Sequence, residues 1–453
     1  MERIDSLAHD EGSRESVITE KEFLTSLGPE ATAFFEQAAG LGIRPNQRFS
    51  KEQCALLMNE AERLETFLDD VDARNNRRFS TLTELIASIR GFSTVGNVLH
   101  HIKVRLPRYK VRAKHSEVVE FQKSVFQAQE FVETSLAKLL METRTEVRRL
   151  GIEVKDTPAR ARSSMDDAPR RHPPHNIDCE DDSSDEARVA SVLSRFLEVR
   201  ALLQMLDQYK PIPTEGEGLL RFVANHYNES KARAFESRVH NLQAAYDTDV
   251  RFRAIEQDNP LLRSFRGHVS LALHLLEVAT LLIHFYERHD RTSRHKTAFE
   301  MIRRLVHGDE VLRHAIHLAL ARAVWVLDRT QPIVEELLPR FVRQKEITLE
   351  IPGDGVLHAR PLSLIVNVVK HHGTAVEMII NDEACAASSI MSLIVFASKY
   401  PDERRIRFRG DQRPLQDLQL LFESGLGENG MDKLPEPLNY LKSRKPGPPD
   451  RRS

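Results

Sequence analysis

From Glu346 onward the apolar residues recur every second position instead of every third or fourth, and that change limits what the chain can fold into. Ile347, Leu349 and Ile351 alternate with Glu346, Thr348 and Glu350. Val376, Met378 and Ile380 alternate with Glu377, and Ile406 and Phe408 with Arg405, Arg407 and Arg409. Successive strand side chains point to opposite faces, so each run predicts a strand with one apolar and one polar side. Helical runs lie between them, and two-faced strands mixed with short helices predict an α+β sandwich with one open sheet face. Arg405, Arg407 and Arg409 should all point to that open face.

The preceding three quarters of the chain has helical periodicity. Ser50-Lys51-Glu52-Gln53 has the form of a capping box, and Leu57, Ala61, Leu64, Leu68 and Val71 mark one helix face behind it. A second helix should include Leu82, Leu85, Ile86 and Ile89. A third, over about 116–150, carries Val118, Val125, Val132 and Leu139 at seven-residue spacing, which suits a bundle helix or a dimer seam. Pro158, Pro169, Pro173 and Pro174, followed by Glu180-Asp181-Asp182, break the pattern. Periodicity resumes at Val189, and further helices are expected at about 216–227, 229–256, 260–289, 295–307 and 309–342. The expected division is therefore a helical domain over 1–155, a disordered linker over 156–185, a helical domain over 186–343, an α+β domain over 344–430 and a disordered tail over 431–453.

The chemistry centres on Gly355-Val356-Leu357-His358-Ala359-Arg360-Pro361. His358 lies between a strand-like run ending at Ile351 and an apolar run from Leu362 to Val369, where it can cap a helix. Unpaired amides and the positive helix end favour a bound phosphate there. Arg360 is a permanent cation within reach of an added phosphoryl group, and Pro361 sits in the first turn, where no N–H is needed. Lys370-His371-His372-Gly373 makes a helix end.

These residues, with Ser389-Ile390-Met391, the Arg405-to-Gly410 strand and the closing Gly425-Leu426-Gly427-Glu428, carry a resemblance. The stretch from Glu346 to about Gly430 resembles HPr, the histidine phosphocarrier of the bacterial phosphoenolpyruvate:sugar phosphotransferase system. The resemblance covers under a fifth of the chain. It implies a βαββαβα open-faced sandwich whose histidine takes a phosphoryl group on Nδ1 from enzyme I and passes it to an enzyme II component or a regulated target. By it, His358 is the acceptor, Arg360 its charge partner, and Ala359 and Pro361 support the phosphate. Ser389 matches a serine that a regulatory kinase phosphorylates in some members. Ile390, Leu393, Ile394 and Phe396 would form the partner-docking helix. Two departures stand out: Ser388 replaces a basic residue, and Ser392 to Ser398 replaces a helix and turn containing Gly and Met.

The remaining features bound the function. Over 453 residues the chain is 41% hydrophobic and 29% charged with a net charge of −2, which gives no global bias toward nucleic acid or membrane. Three scattered cysteines argue against a disulfide framework and fit a cytoplasmic protein. Met-Glu-Arg-Ile-Asp lacks a secretory core, and the most apolar run, Val269 to Tyr286, contains His274, Glu277 and His284, so membrane insertion is not expected. No acidic residue lies between Glu84 and Glu117, while Arg90, Lys103, Arg105, Arg108, Lys110, Arg112 and Lys114 accumulate. Only Phe92 and Tyr109 offer stacking surface, and nucleic acid is disfavoured. His172, His175 and Cys179 lie in the linker; His274, Glu277, His284, His314 and His317 read as helix-surface residues. No metal and no cofactor are expected. Gly425 to Gly430 matches G-x-G-x-x-G but follows a helix, so no dinucleotide site is expected. The N-terminal helices leave room for a homo-oligomer.

Overall fold

The computed structural model describes residues 18–40, 44, 47–152, 184–289, 296–353 and 356–442. Gly355, the linker apart from its last two residues, His172, His175, Cys179 and the tail beyond Lys442 lie outside the described residues. The described chain is mostly helical with one small four-stranded antiparallel sheet.

The helices are α1 (Glu20–Gly40), α2 (Lys51–Asp70), α3 (Ser80–Arg105), α4 (His115–Leu150), α5 (Asp185–Gln204), α6 (Gly216–His226), α7 (Glu229–Asp249), α8 (Ala254–Gln257), α9 (Pro260–His289), α10 (Lys296–Leu305) and α11 (Gly308–Arg313). A π-helical stretch, His314–Leu320, leads into α12 (Ala321–Phe341). The capping box forms as expected: Gln53 N–H donates to Ser50 Oγ at 3.2 Å, and Ser50 N–H to Gln53 Oε1 at 2.8 Å. Leu57, Ala61, Leu64 and Leu68 are buried, whereas Val71 ends the helix and is 46% exposed. On α4, Val125, Val132 and Leu139 are buried within the chain. Three of the seam's four residues are thus taken up by the chain's own packing, and Val118 is partly exposed.

The chain divides into two compact units, one of Met1–His101, Ser124–Ala168 and Leu281–Leu312, the other of Ile102–Lys123, Pro169–Thr280 and Arg313–Ser453. The cut between Ala168 and Pro169 falls within the expected 156–185 linker, and the others fall inside helices. At 26, 36 and 30 residues, α3, α4 and α9 are about 39, 54 and 45 Å long. Each is longer than one small core needs, and each contributes to both units. The stretch Pro260–Arg288 is long and apolar enough to cross a bilayer, yet 78% of its apolar window is buried in the protein. His314, expected on a helix surface, lies in the π-helical turn, where burial pushes its pKa down to about 4.

After α12 the second unit continues with β1 (Gln344–Glu350), α13 (Ala359–His372), β2 (Val376–Ile380), β3 (Glu383–Ala386), α14 (Ile390–Ser398), β4 (Arg405–Asp411) and α15 (Gln412–Glu423). The sheet order is β1-β4-β2-β3, with Ile347 opposite Phe408 and Met378 also opposite Phe408. Ile406, Phe408, Val376, Met378 and Ile380 face a core completed by α13, α14 and α15. On the other face Arg405 pairs with Glu350 at 3.5 Å and Arg409 with Glu377 at 2.6 Å. Arg407 bridges Glu346 and Asp382. These are cross-strand charge pairs of the kind that stabilise a solvent-facing sheet.

The tail expected after Gly430 is corrected in its first part. Met431–Lys433 and Glu436–Leu441 form 3₁₀ turns, and Leu434, Leu438 and Leu441 are buried in the same core. Tyr440 stacks on His371 with ring centroids 3.7 Å apart, and its hydroxyl donates to Asp417 at 2.7 Å. His372 meets the same carboxylate at 2.8 Å; burial acts to raise the Asp417 pKa, but together the His372 and Tyr440 contacts outweigh it and lower it. Proline and lysine content made the segment read as disordered, but leucines at 434, 438 and 441 anchor it.

Candidate functional site

α13 begins where it does because His358 is extended (φ −97°, ψ −176°) and Pro361 falls in the first turn. The helix is held by Leu362, Ile365, Val366 and Val369, all buried, and it ends at Gly373, whose φ of 65° suits glycine. This packing fixes the axis whose positive end carries His358.

The imidazole is half exposed. Its Nδ1 accepts from the Arg360 amide at 3.4 Å, the outer limit of a hydrogen bond. Its Nε2 lies 3.2 Å from Glu428 Oε1. A carboxylate can only accept, so Nε2 carries the proton and Nδ1 keeps its lone pair, directed at the helix start. Nδ1 is the nitrogen positioned to bond an incoming electrophile.

Ala359 and Arg360 are exposed, and Pro361 is buried. Among the described residues the Arg360 guanidinium makes no hydrogen bond or ion pair. A cation beside a nucleophilic nitrogen, at the positive end of a helix, is an arrangement suited to oxygens of a phosphoryl group. Val356, just before the histidine, is 60% exposed.

Glu428 was not singled out in the sequence as a partner of His358. It reaches the ring through the Gly425–Gly430 turn, where a Cβ on Gly427 would stand 2.7 Å from Leu364 Cδ1. Glycine there lets the turn press against α13. The motif was visible; its proximity to His358 was not, because it depends on how α15 packs.

Ser389 caps α14, its hydroxyl accepting from the Ser392 amide at 3.3 Å, and is partly exposed. The docking residues need correction. Leu393 and Phe396 are 0% and 6% exposed and belong to the core, and Ile390 and Ile394 are packed against it. The apolar side chains that α14 presents to solvent are Met391 at 67% and Val395 at 59%. Every position from Ile390 to Phe396 except Ser392 is apolar, so no periodicity marked which side faced inward.

No family model, curated protein or solved structure matches this chain.

Proposed function

We propose that the protein is a phosphocarrier-type protein with an HPr-like C-terminal domain, accepting a phosphoryl group on His358 from an enzyme I-like donor. The observation that carries this reading is the Glu428–His358 contact, which leaves Nδ1 unprotonated beside Arg360. The βαββαβα element order and the sheet order β1-β4-β2-β3 are consistent with it.

In the transfer, the Nδ1 lone pair forms a bond to phosphorus as the bond to the donor's nitrogen breaks, and the donor nitrogen keeps that electron pair. The ring becomes cationic as it is phosphorylated, and Glu428 offsets that charge through the Nε2 proton. The Arg360 amide, released from Nδ1 as the bond to phosphorus forms, and the Arg360 guanidinium stabilise the phosphoryl oxygens. Delivery to an enzyme II component reverses the sequence. Met391 and Val395 offer the apolar contact that a partner protein needs. The reading implies a cytoplasmic protein without membrane insertion.

A second reading is favoured by one contact. Gly373, at the far end of α13, lies so close to α5 that a Cβ would stand 2.2 Å from Ser191 Oγ. A carrier domain seated on helices of its own chain suits a regulator, in which the state of His358 biases what those helices bind.

The test is incubation with phosphoenolpyruvate and enzyme I. Wild type should acquire an acid-labile, base-stable phosphoryl label, His358→Ala none, and Glu428→Gln should label about tenfold more slowly through loss of a charge-assisted hydrogen bond. Label on His358→Ala would remove this histidine from the mechanism. A labelled wild type that passes its group to no enzyme II component would select the regulator.

A further inference from the structure

We infer that the connection between α3 and α4 is a docking strip for the phosphate backbone of double-stranded nucleic acid, read by charge and not by sequence. Lys103, Arg105, Arg108, Lys110 and Lys114 are all exposed, and none forms an ion pair among the described residues. Arg112, in the same stretch, does reach a carboxylate, Glu336 at 3.6 Å. With no acidic residue from Leu85 to Ser116, nothing in the stretch itself neutralises these cations.

The strip is held by its backbone, which leaves the charged side chains free for a ligand. Leu106 and Tyr109 are buried. Gly267 of α9 permits the approach, since a Cβ there would stand 2.3 Å from the Tyr109 carbonyl oxygen. Ser264 Oγ donates to the Lys110 carbonyl at 3.1 Å, and the Arg112 amide donates to His268 Nε2 at 3.1 Å. Cations on a fixed backbone give up less freedom on binding than cations on a loose loop.

The surroundings select the partner. Protein interfaces are centred on buried aromatic or apolar anchors, and Tyr109 faces inward at 5% exposure, leaving Val104 as the strip's exposed large apolar residue. Single strands require stacking surfaces, which the strip lacks. Stable adhesion to an anionic bilayer calls for an acyl or amphipathic anchor beside the charge. Duplex phosphates need none of these, and interfaces with them are markedly basic. The sequence argued against nucleic acid through its lack of stacking surface and of a binding motif, and contact with duplex phosphates by charge requires neither.

The test uses the full chain and a short labelled duplex of mixed sequence, followed by fluorescence anisotropy. If all five cations engage phosphates, affinity should fall by roughly 500-fold between about 50 and 200 mM salt. Lys103→Glu with Arg108→Glu should weaken binding at low salt by roughly a hundredfold and flatten the salt dependence by about two contacts. Lys123→Glu, an exposed cation outside the strip, should change neither. Absence of binding at low salt, or binding that the double variant leaves intact, overturns the inference. So does tighter binding to polyglutamate or to phosphatidylserine vesicles than to the duplex, which would assign the strip to an acidic protein or a membrane.

Discussion

His268 is fully buried between two hydrogen bonds that settle its tautomer. The Arg112 amide donates to Nε2, so Nδ1 carries the proton and donates to Thr330 Oγ1 at 3.0 Å; Thr330 in turn donates to the Val326 carbonyl at 2.8 Å. Burial pushes its pKa from 6.5 down to about 4. The unfolded chain therefore takes up this proton near 6.5 and the folded chain only near 4, so the unfolded state binds more protons in between. Stability should decline as pH falls through that window, by about 3 kcal/mol once the decline is complete. Urea unfolding measured across the window checks this, with His268→Asn flattening the slope; an equally steep slope in the variant would remove His268 as its source. Nothing in the sequence pointed to this residue, since a single histidine in an apolar helix reads alike on the inner or the outer side. His358 was legible for the opposite reason: Ala-Arg-Pro behind it and a strand before it leave few conformations but a helix cap.

Among the elements, β1 and β4 were readable because their apolar residues alternate, β2 because Val376, Met378 and Ile380 do so despite Ile379, and α2 because its cap and stripe agree. α14 was not. Its apolar residues surround the helix, and only the structure separates Leu393 and Phe396, which fill the core, from Met391 and Val395, which face water. The two sets should respond differently to substitution. Leu393→Ala should cost about 3 kcal/mol in thermal or urea unfolding, as a core cavity does. Met391→Asp with Val395→Asp should leave unfolding nearly unchanged and slow phosphoryl transfer from the donor protein. Equal destabilisation by both would mean that the helix is turned the other way.

For the molecule as a whole, composition was only a partial guide. The proline-rich stretch after residue 155 does contain one boundary between the units, but those within α3, α4 and α9 carry no change of composition. The segment after Gly430 looked dispensable, yet three of its leucines are buried. Ending the chain at Gly430 should lower stability by roughly 5 kcal/mol, the burial of three leucines at about 1.5 to 2 kcal/mol each. Differential scanning calorimetry of the truncated chain would show it, and an unshifted transition would mean that the segment only rests on the surface.

The paired rows of Arg405, Arg407 and Arg409 with Glu350, Glu346, Glu377 and Asp382 have an effect at a distance. Three guanidiniums against four carboxylates nearly cancel, and the remainder is screened within about one Debye length, roughly 8 Å in physiological salt. An approaching protein therefore senses little from that broad side of the sheet. Whatever pull the region exerts from afar comes from its unmatched charges, Arg360 at one end of α13 and Lys370 at the other among them.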